Sequence, residues 1–197
     1  MKWQSTTPKK ALNKVNKLFV VLLIVYQLSG IALCEPIPSV GTAEVFFSPR
    51  GGATEAIVKE INHTKSEILI QAYSFTSAPI AKALLEAHKR GVKIEAVLDK
   101  SQRSEKYTSA TFLLNEGIPV LIDDKHQIAH SKIFVIDRQT IITGSFNFTK
   151  AAEEKNAENL LILKGNKPLV DQYLQNFEDH KAHSVKYEFK PKARKSR

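Results

Sequence analysis

Between residues 41 and 180, short apolar runs typical of β-strands alternate with amphipathic segments of helical spacing. The strand patterns are AEVFFS, EILIQAY, VKIEAVLD, IPVLID, SKIFVID, TIITGSFN and NLLILK. The helical patterns are GATEAIVKEINHT, APIAKALLEAHKRG, SATFLLNEG and NKPLVDQYLQNFEDHKA. This order predicts one α/β domain with a mixed, mostly β-α alternating sheet flanked by helices. NLLILK is apolar throughout except at its ends, which favours a position at the centre of the sheet.

One of these strand patterns carries two polar residues that a buried strand does not need. In IAHSKIFVID (128–137), the run from Ile133 to Ile136 is wholly apolar, but His130 and Lys132 precede it two positions apart. Residues two apart in a strand point to the same face, so an imidazole and an ammonium are expected side by side at a strand end.

The two following strand patterns add further polar groups at their ends. GSFNFT places Ser145 and Asn147 on one strand face, and Gly144 before them permits a close approach of backbone or ligand. Glu158 stands at the mouth of NLLILK. A nucleophile, a fixed cation, neutral hydrogen-bonding groups and a carboxylate together suit a phosphate group.

These residues also match a known pattern. HSKIFVID fits His-x-Lys-x4-Asp, GSFNFT follows at the spacing of the phospholipase D superfamily, and SFT (74–76) and NAENLLIL extend the likeness. The chain resembles that superfamily over most of residues 44–180, particularly its small bacterial endonucleases. The resemblance implies the phospholipase D/nuclease fold and hydrolysis of phosphodiester bonds without a metal.

The resemblance also implies a role for each catalytic residue. His130 would be the nucleophile and form a phosphohistidine intermediate. Lys132 and Asn147 would hold the phosphoryl oxygens, with Ser145 supporting that pocket. Glu158 would bond the other nitrogen of the histidine and fix its tautomer.

Two residues of the motif are expected to be structural. Asp137 lies seven positions from His130, an odd offset that turns it to the opposite face, and Gly144 serves the close approach. No His/Asp/Glu cluster with metal-ligand spacing is evident in the sequence, so neither a metal nor a cofactor is expected.

The expected chemistry needs a second histidine, because the departing alkoxide must be protonated. The chain carries the motif once, and its other histidines lack a lysine two residues on: His63, His88, His126, His180 and His183. A homodimer with the active site at its two-fold axis would supply both imidazoles.

The N-terminus predicts export. Five lysines and no acidic residue precede or flank the apolar run LFVVLLIVY, and small residues follow before Glu35. Residues 1–34 are therefore a signal peptide or N-terminal anchor, and residues 18–33 could bring the chain close to a membrane. Lipidation of Cys34, the single cysteine, is a third interpretation. The product would be periplasmic or secreted, or membrane-anchored if the segment is not cleaved.

Charge marks the remaining boundaries. A linker with two prolines (35–43) leads into the predicted catalytic domain (44–180), and a basic tail follows (181–197). Residues 35–180 hold 17 basic and 19 acidic residues, so the net charge of +9 belongs to the two ends. Global charge is therefore weak support for nucleic-acid binding.

The favoured function is a non-specific endonuclease acting on DNA or RNA. Two alternatives remain open at this stage: a phospholipase D that hydrolyses phospholipid head groups, and a catalytically silent nucleic-acid-binding relative.

Overall fold

The computed structural model describes residues 36–104 and 108–188. Those from Ile37 onward belong to one compact unit. The predicted signal peptide or anchor and residues 189–197 of the basic tail lie outside the described residues. Within the two described ranges, no helix has the length and apolar character needed to cross a membrane.

Strands and helices follow the predicted alternation. The strands are β1 Thr42–Phe47, β2 Glu67–Ala72, β3 Lys93–Asp99, β4 Val120–Asp123, β5 Lys132–Ile136, β6 Thr140–Gly144, β7 Asn159–Lys164 and β8 Val185–Lys186. The α-helices are α1 Ala53–His63, α2 Ala78–Lys89, α3 Ser109–Asn115, α4 Lys150–Glu154 and α5 Lys167–His183, with a 3-10 turn at Lys100–Arg103.

All eight strands form one sheet in the order β1-β7-β6-β5-β2-β3-β4-β8. Strands β2, β3 and β4 are parallel, as the intervening helices α2 and α3 require, and the other neighbours are antiparallel. The predicted α/β class with a mixed sheet flanked by helices is confirmed.

Helices cover both faces of the sheet. On one face, apolar side chains of α1, α2, α3 and α4 pack on the larger core, which includes Ile57, Leu84 and Phe134. On the other face, Val170 and Phe177 of α5 pack against Leu69, Val97, Val135 and their neighbours. Strand β5 is buried at every position because it lies under both layers.

Within the sheet and at the C-terminus, the structure differs from the sequence interpretation at β7 and at the end of the domain. Strand β7 is second from the sheet edge, not central, and its Leu161 and Leu163 are only half-buried. The C-terminal boundary also lies later than residue 180. Helix α5 continues to His183, β8 pairs with β4, and the side chain of Tyr187 is buried and hydrogen-bonded to Thr111.

Candidate active site

The sheet brings the predicted catalytic residues to one of its ends. Strands β5, β6 and β7 are adjacent and antiparallel, so the start of β5, the end of β6 and the start of β7 lie together. His130 and Lys132 stand at the first of these points, Ser145 and Asn147 follow the second, and Glu158 precedes the third.

His130 lies in the loop just before β5, not within the strand as the sequence pattern suggested. Its side chain is exposed, and its ring centroid is 4.5 Å from that of Tyr73, which follows β2. The backbone N–H of Tyr73 donates to the carbonyl of Ser131 at 2.9 Å, so the loop is held against the end of β2. The imidazole therefore has one face supported and remains open to solvent.

Lys132 supplies a buried positive charge next to this imidazole. Only 6% of the residue is exposed, and its Nζ donates to the carbonyl oxygen of His130 at 2.7 Å. The same Nζ lies 5.2 Å from the ring centroid of Tyr73. Burial lowers the pKa of Lys132, and the negative charge of Glu158 partly opposes that shift. The ammonium is thus fixed in place and poorly solvated.

Two buried aspartates anchor the loop of residues 124–131 that leads to His130. Asp99 and Asp123 are register partners at the ends of β3 and β4. Asp99 accepts the backbone N–H of Ala129 at 2.8 Å. Asp123 accepts the backbone N–H groups of Lys125 and His126 at 3.2 and 3.3 Å. The position of the loop is therefore set by the sheet.

Gly144 permits a close approach, as the sequence suggested, and the group that approaches it is the backbone of Asn159. Its φ is +145°, and a Cβ at this position would lie 2.3 Å from the carbonyl oxygen of Asn159. Next to it, Ser145 Oγ accepts from the backbone N and the Nδ2 of Asn159 at 3.0 and 3.3 Å. The segment after β6 is thereby fixed to the start of β7, with the hydroxyl proton of Ser145 still free to donate.

Asn147 offers a buried amide with spare hydrogen-bonding capacity. Its Oδ1 is buried and has no partner among the described residues. Phe146 and Phe148 on either side are fully buried, and the carbonyl of Phe148 accepts the N–H groups of Thr76 and Ser77 at 2.9 Å. Because Oδ1 is an acceptor, it is available to a hydrogen-bond donor such as a water or a hydroxyl group.

Glu158 is held by neighbours other than His130. Its Oε1 accepts from Asn156 Nδ2 at 3.1 Å, and its backbone N–H donates to Ser48 Oγ at 3.1 Å. Among the described residues there is no hydrogen bond between Glu158 and His130, and the imidazole packs on Tyr73 instead. The charge of Glu158 acts instead on Lys132. Orientation of His130 by Glu158 stays a prediction.

Asp137 lies at the opposite end of β5 from Lys132. Its carboxylate accepts the backbone N–H groups of Lys65, Ser66 and Glu67 at 2.8 to 3.0 Å, and the Ser66 hydroxyl at 2.7 Å. Burial alone would raise the pKa of Asp137, but these donors hold it below its ordinary value. The motif aspartate thus bonds the start of β2 and does not reach the catalytic end.

Sequence reasoning missed Tyr73 and Asp99. Both come from the ends of β2 and β3, and neither belongs to a motif, so only the pairing of β2 with β5 and β3 reveals their position. Their place immediately after a strand pattern was the available signal.

The expectation that no His/Asp/Glu cluster exists is wrong. Among the described residues, Asp123, His126, His180 and His183 place one ligand atom each within 4.8 Å of one another. The four side chains come from two segments far apart in sequence, so the sequence alone does not bring them together. The repeated x2 spacing, Asp123 to His126 and His180 to His183, was the signal. None of the four belongs to the predicted catalytic set.

Comparisons with known proteins agree with this geometry. Residues 57–181 match the family described as cardiolipin synthase, PLD-like domain. A "Phospholipase D" of Rickettsia felis is 42% identical over 136 residues, covering 69% of this chain and 68% of the relative. A "Mitochondrial cardiolipin hydrolase" of Xenopus tropicalis is 31% identical over 54% of this chain and 50% of its own length.

A solved structure shows the same similarity. Nuc from Salmonella typhimurium, a phospholipase D family member, superposes with a TM-score of 0.72 at 36% sequence identity, covering 76% of this chain and 99% of that one. The resemblance seen in the sequence is confirmed: this chain belongs to the phospholipase D superfamily and is a hydrolase of phosphodiester bonds.

Proposed function

We propose that this chain is a metal-independent, non-specific endonuclease that cleaves DNA or RNA through a phosphohistidine intermediate. One observation carries the proposal: an exposed imidazole, His130, and a buried ammonium, Lys132, both lie beside the ring of Tyr73 at one end of the sheet. A nucleophile on an open surface can reach a phosphodiester within a long polymer.

In the first step, a neutral nitrogen of His130 attacks phosphorus, and the bond from phosphorus to the leaving oxygen breaks. We assign the binding of the non-bridging oxygens, where negative charge develops, to the Lys132 ammonium and the Nδ2 amide group of Asn147. Because the Lys132 ammonium is already poorly solvated, little solvent has to be displaced when the phosphate arrives. Ser145 can donate its hydroxyl proton to the same oxygens or to a bridging water.

The leaving alkoxide needs a proton, and a water must then be deprotonated to hydrolyse the phosphohistidine. We assign both tasks to a second His130 in a C2 homodimer. The partner imidazolium protonates the alkoxide, becomes neutral, and takes the proton from the attacking water. The attack releases the first His130 and completes the cycle with no net change in either ring.

An exposed apolar strip supports the dimer. Val45 and Phe47, two apart on β1, are 52% and 66% exposed, and Phe47 pairs with Asn159 at the catalytic end of β7. Ile128, two residues before His130, is 55% exposed. Exposed apolar side chains this close to a site favour coverage by another surface, and a second copy provides it.

A second candidate substrate is a phospholipid head group. The same apolar side chains, Phe47 and Ile128, could contact acyl chains, and the relatives from Rickettsia and Xenopus are named for lipid substrates. The phosphoryl chemistry would be unchanged, since only the groups on either side of the phosphodiester differ.

A comparison of substrates separates the nuclease from the phospholipase. The purified protein is given plasmid DNA, RNA and labelled phosphatidylcholine or cardiolipin in vesicles, each with excess chelator. We expect cleavage of the polynucleotides in chelator and slower or no release of lipid head groups. Lipid hydrolysis without nuclease activity would favour the second candidate. Absence of both activities would favour a catalytically silent nucleic-acid-binding relative.

The chelator also tests metal independence. Loss of turnover at an unchanged melting temperature would overturn the proposed mechanism. If chelator lowers the melting temperature as well as the turnover, the loss of activity would reflect a loss of stability instead.

We also propose that the chain is exported, on the strength of its basic N-region and apolar segment. N-terminal sequencing of the protein recovered outside the cytoplasm should begin near Glu35. Retention of residues 1–34 in a membrane fraction would show an anchor.

A further inference from the structure

A cluster of three histidines and one aspartate lies at the end of β4, apart from the residues assigned to catalysis. Asp123 is the last residue of β4 and its side chain is fully buried. His126 follows in the loop, and His180 and His183 occupy the last turn of α5. The ring centroids of the three imidazoles are 4.9 to 5.4 Å apart.

The three imidazoles converge on a single atom, Asp123 Oδ2. His180 Nδ1 lies 2.7 Å from it, His126 Nδ1 lies 2.9 Å away, and His183 Nε2 lies 3.2 Å away. A carboxylate oxygen offers two lone pairs, so three imidazoles exceed what one oxygen can accept. The other oxygen, Oδ1, already accepts the backbone N–H groups of Lys125 and His126 and also lies 3.1 Å from His126 Nδ1.

We propose that Asp123, His126, His180 and His183 bind a divalent transition-metal ion of the zinc type. Three imidazoles and one carboxylate are a ligand set that suits tetrahedral zinc. Around such an ion, with ligand bonds of about 2.0 to 2.1 Å, neighbouring ligand atoms are about 3.3 Å apart. The three nitrogen-to-Oδ2 separations, 2.7 to 3.2 Å, are slightly shorter than this, and all four ligand atoms lie within 4.8 Å of one another, so small movements of the rings make room for the ion.

The surroundings favour binding. The side chains of His180 and His183 are 18% and 20% exposed and Asp123 is not exposed, whereas His126 is 44% exposed and provides an entry path. Between the two helix ligands, Lys181 points away and pairs with Glu95 at 2.6 Å. No cation among the described residues competes with a metal for Asp123.

The position gives the ion a structural task. It would connect the end of β4, the C-terminal turn of α5 and the beginning of the loop of residues 124–131. His130 lies near the other end of this loop. One ion would thus hold the C-terminal helix to the loop that carries the nucleophile. The ion takes no part in the phosphoryl chemistry, because its ligands are not the groups that meet the substrate.

The test uses the purified full chain, freed of metal by chelator and then titrated with zinc alone. We expect about one zinc per chain and a rise in melting temperature with zinc, with cobalt giving the visible absorption bands of a tetrahedral site. The double variant His180→Gln/His183→Gln should bind zinc at least about 100-fold more weakly and lose the thermal shift.

Two controls locate the ion. The matched double variant His63→Gln/His88→Gln changes the same residue type outside the cluster and should bind zinc as the wild type does. His130→Ala should also bind normally, which excludes the catalytic imidazole as the ligand. Failure of the wild type to bind zinc, or equal weakening in the cluster variant and the matched control, would overturn the proposal. Because these readouts need no substrate, they do not depend on the proposed nuclease activity.

Discussion

At the scale of single residues, the two nitrogen-bearing side chains of the site, His130 and Lys132, have different tasks and different surroundings. The exposed imidazole of His130 carries the nitrogen proposed to attack phosphorus, whereas Lys132 carries a charge that burial makes costly. Exposure suits the group that reacts, and burial suits the group that must not move.

Replacing His130 by alanine should abolish hydrolysis and leave the fold intact, because the side chain is exposed. We expect kcat/KM to fall at least about 100-fold, about 2.7 kcal/mol of transition-state stabilisation, with an unchanged melting temperature. His63→Ala, also at an exposed histidine, should retain full activity. A residual activity above about 1% would contradict the assignment of the nucleophile.

Lys132→Ala should be nearly as severe, and Lys132→Arg should not restore the rate. A guanidinium is larger than the ammonium that now fits between the carbonyl of His130 and the ring of Tyr73. Single-turnover rates measured with melting temperatures separate lost chemistry from lost packing. An arginine variant with near wild-type turnover would show that only the charge matters.

His130, Lys132 and Asn147 could be predicted from the sequence because they stand in the short motifs HSKIFVID and GSFNFT, which resemble those of the phospholipase D superfamily. Tyr73 and Asp99 could not, because they reach the site through pairing of β2 with β5 and β3. The cluster of Asp123 and the three histidines could not be predicted for the same reason, since Asp123 and His180 are separated by 57 residues.

At the scale of elements, the hairpin of β5 and β6 is fixed from its turn. Asp137 has a φ of +50°, and its carboxylate bonds the backbone before β2. Because folding lowers the pKa of Asp137, its contribution is complete above the ordinary aspartate pKa and is lost as pH falls through the lower folded value.

Asp137→Asn tolerates the same backbone conformation but loses the charge and one acceptor oxygen. At pH 7 we expect it to lower the free energy of unfolding by about 1.5 to 3 kcal/mol, and the difference should shrink below about pH 4. Asp171→Asn, in an exposed pair with Lys167, should cost about 0.5 kcal/mol or less. A constant difference from pH 7 to pH 3 would refute this account.

The contact between β6 and β7 makes a separate prediction. Gly144→Ala would place a Cβ against the carbonyl of Asn159, whereas Gly91→Ala at the end of α2 meets nothing within 4 Å. Both positions have positive φ, +145° at Gly144 and +89° at Gly91, so Gly91→Ala shows the backbone cost of a left-handed position without a clash, about 1 to 2 kcal/mol. In urea unfolding, Gly144→Ala should cost clearly more and should also reduce kcat. Equal losses would show that the close approach relaxes freely.

Most elements were predictable because hydrophobic periodicity reports burial directly. The place of β7 was not, because an apolar run fits a second-from-edge strand as well as a central one. The strand β8 is two residues long and carries no periodic pattern, so only its pairing with β4 defines it.

At the scale of the whole molecule, the proposed mechanism needs two imidazoles, and the sequence carries the His-x-Lys motif once. If the second comes from a partner copy, specific activity should fall when the protein is diluted below the Kd of the dimer. Analytical ultracentrifugation over the same concentrations supplies the comparison. A fully active monomer would place the acid within one chain.

Mixed dimers test the same arrangement more sharply. Wild-type chains refolded with an excess of His130→Ala chains form heterodimers with a single His130. We expect activity per wild-type chain well below half of the wild-type value, since nucleophile and acid no longer face each other. The same experiment with an excess of His63→Ala chains should leave the activity unchanged.

The pairing of β1 with β7 has a consequence for how the protein is made. Ser48, just after β1, bonds Glu158 across 110 positions of the chain. A ribosome releases the chain from its N-terminus onward, so β1 has no neighbour until almost the whole domain has emerged. The polar groups beside β7 therefore assemble late in synthesis.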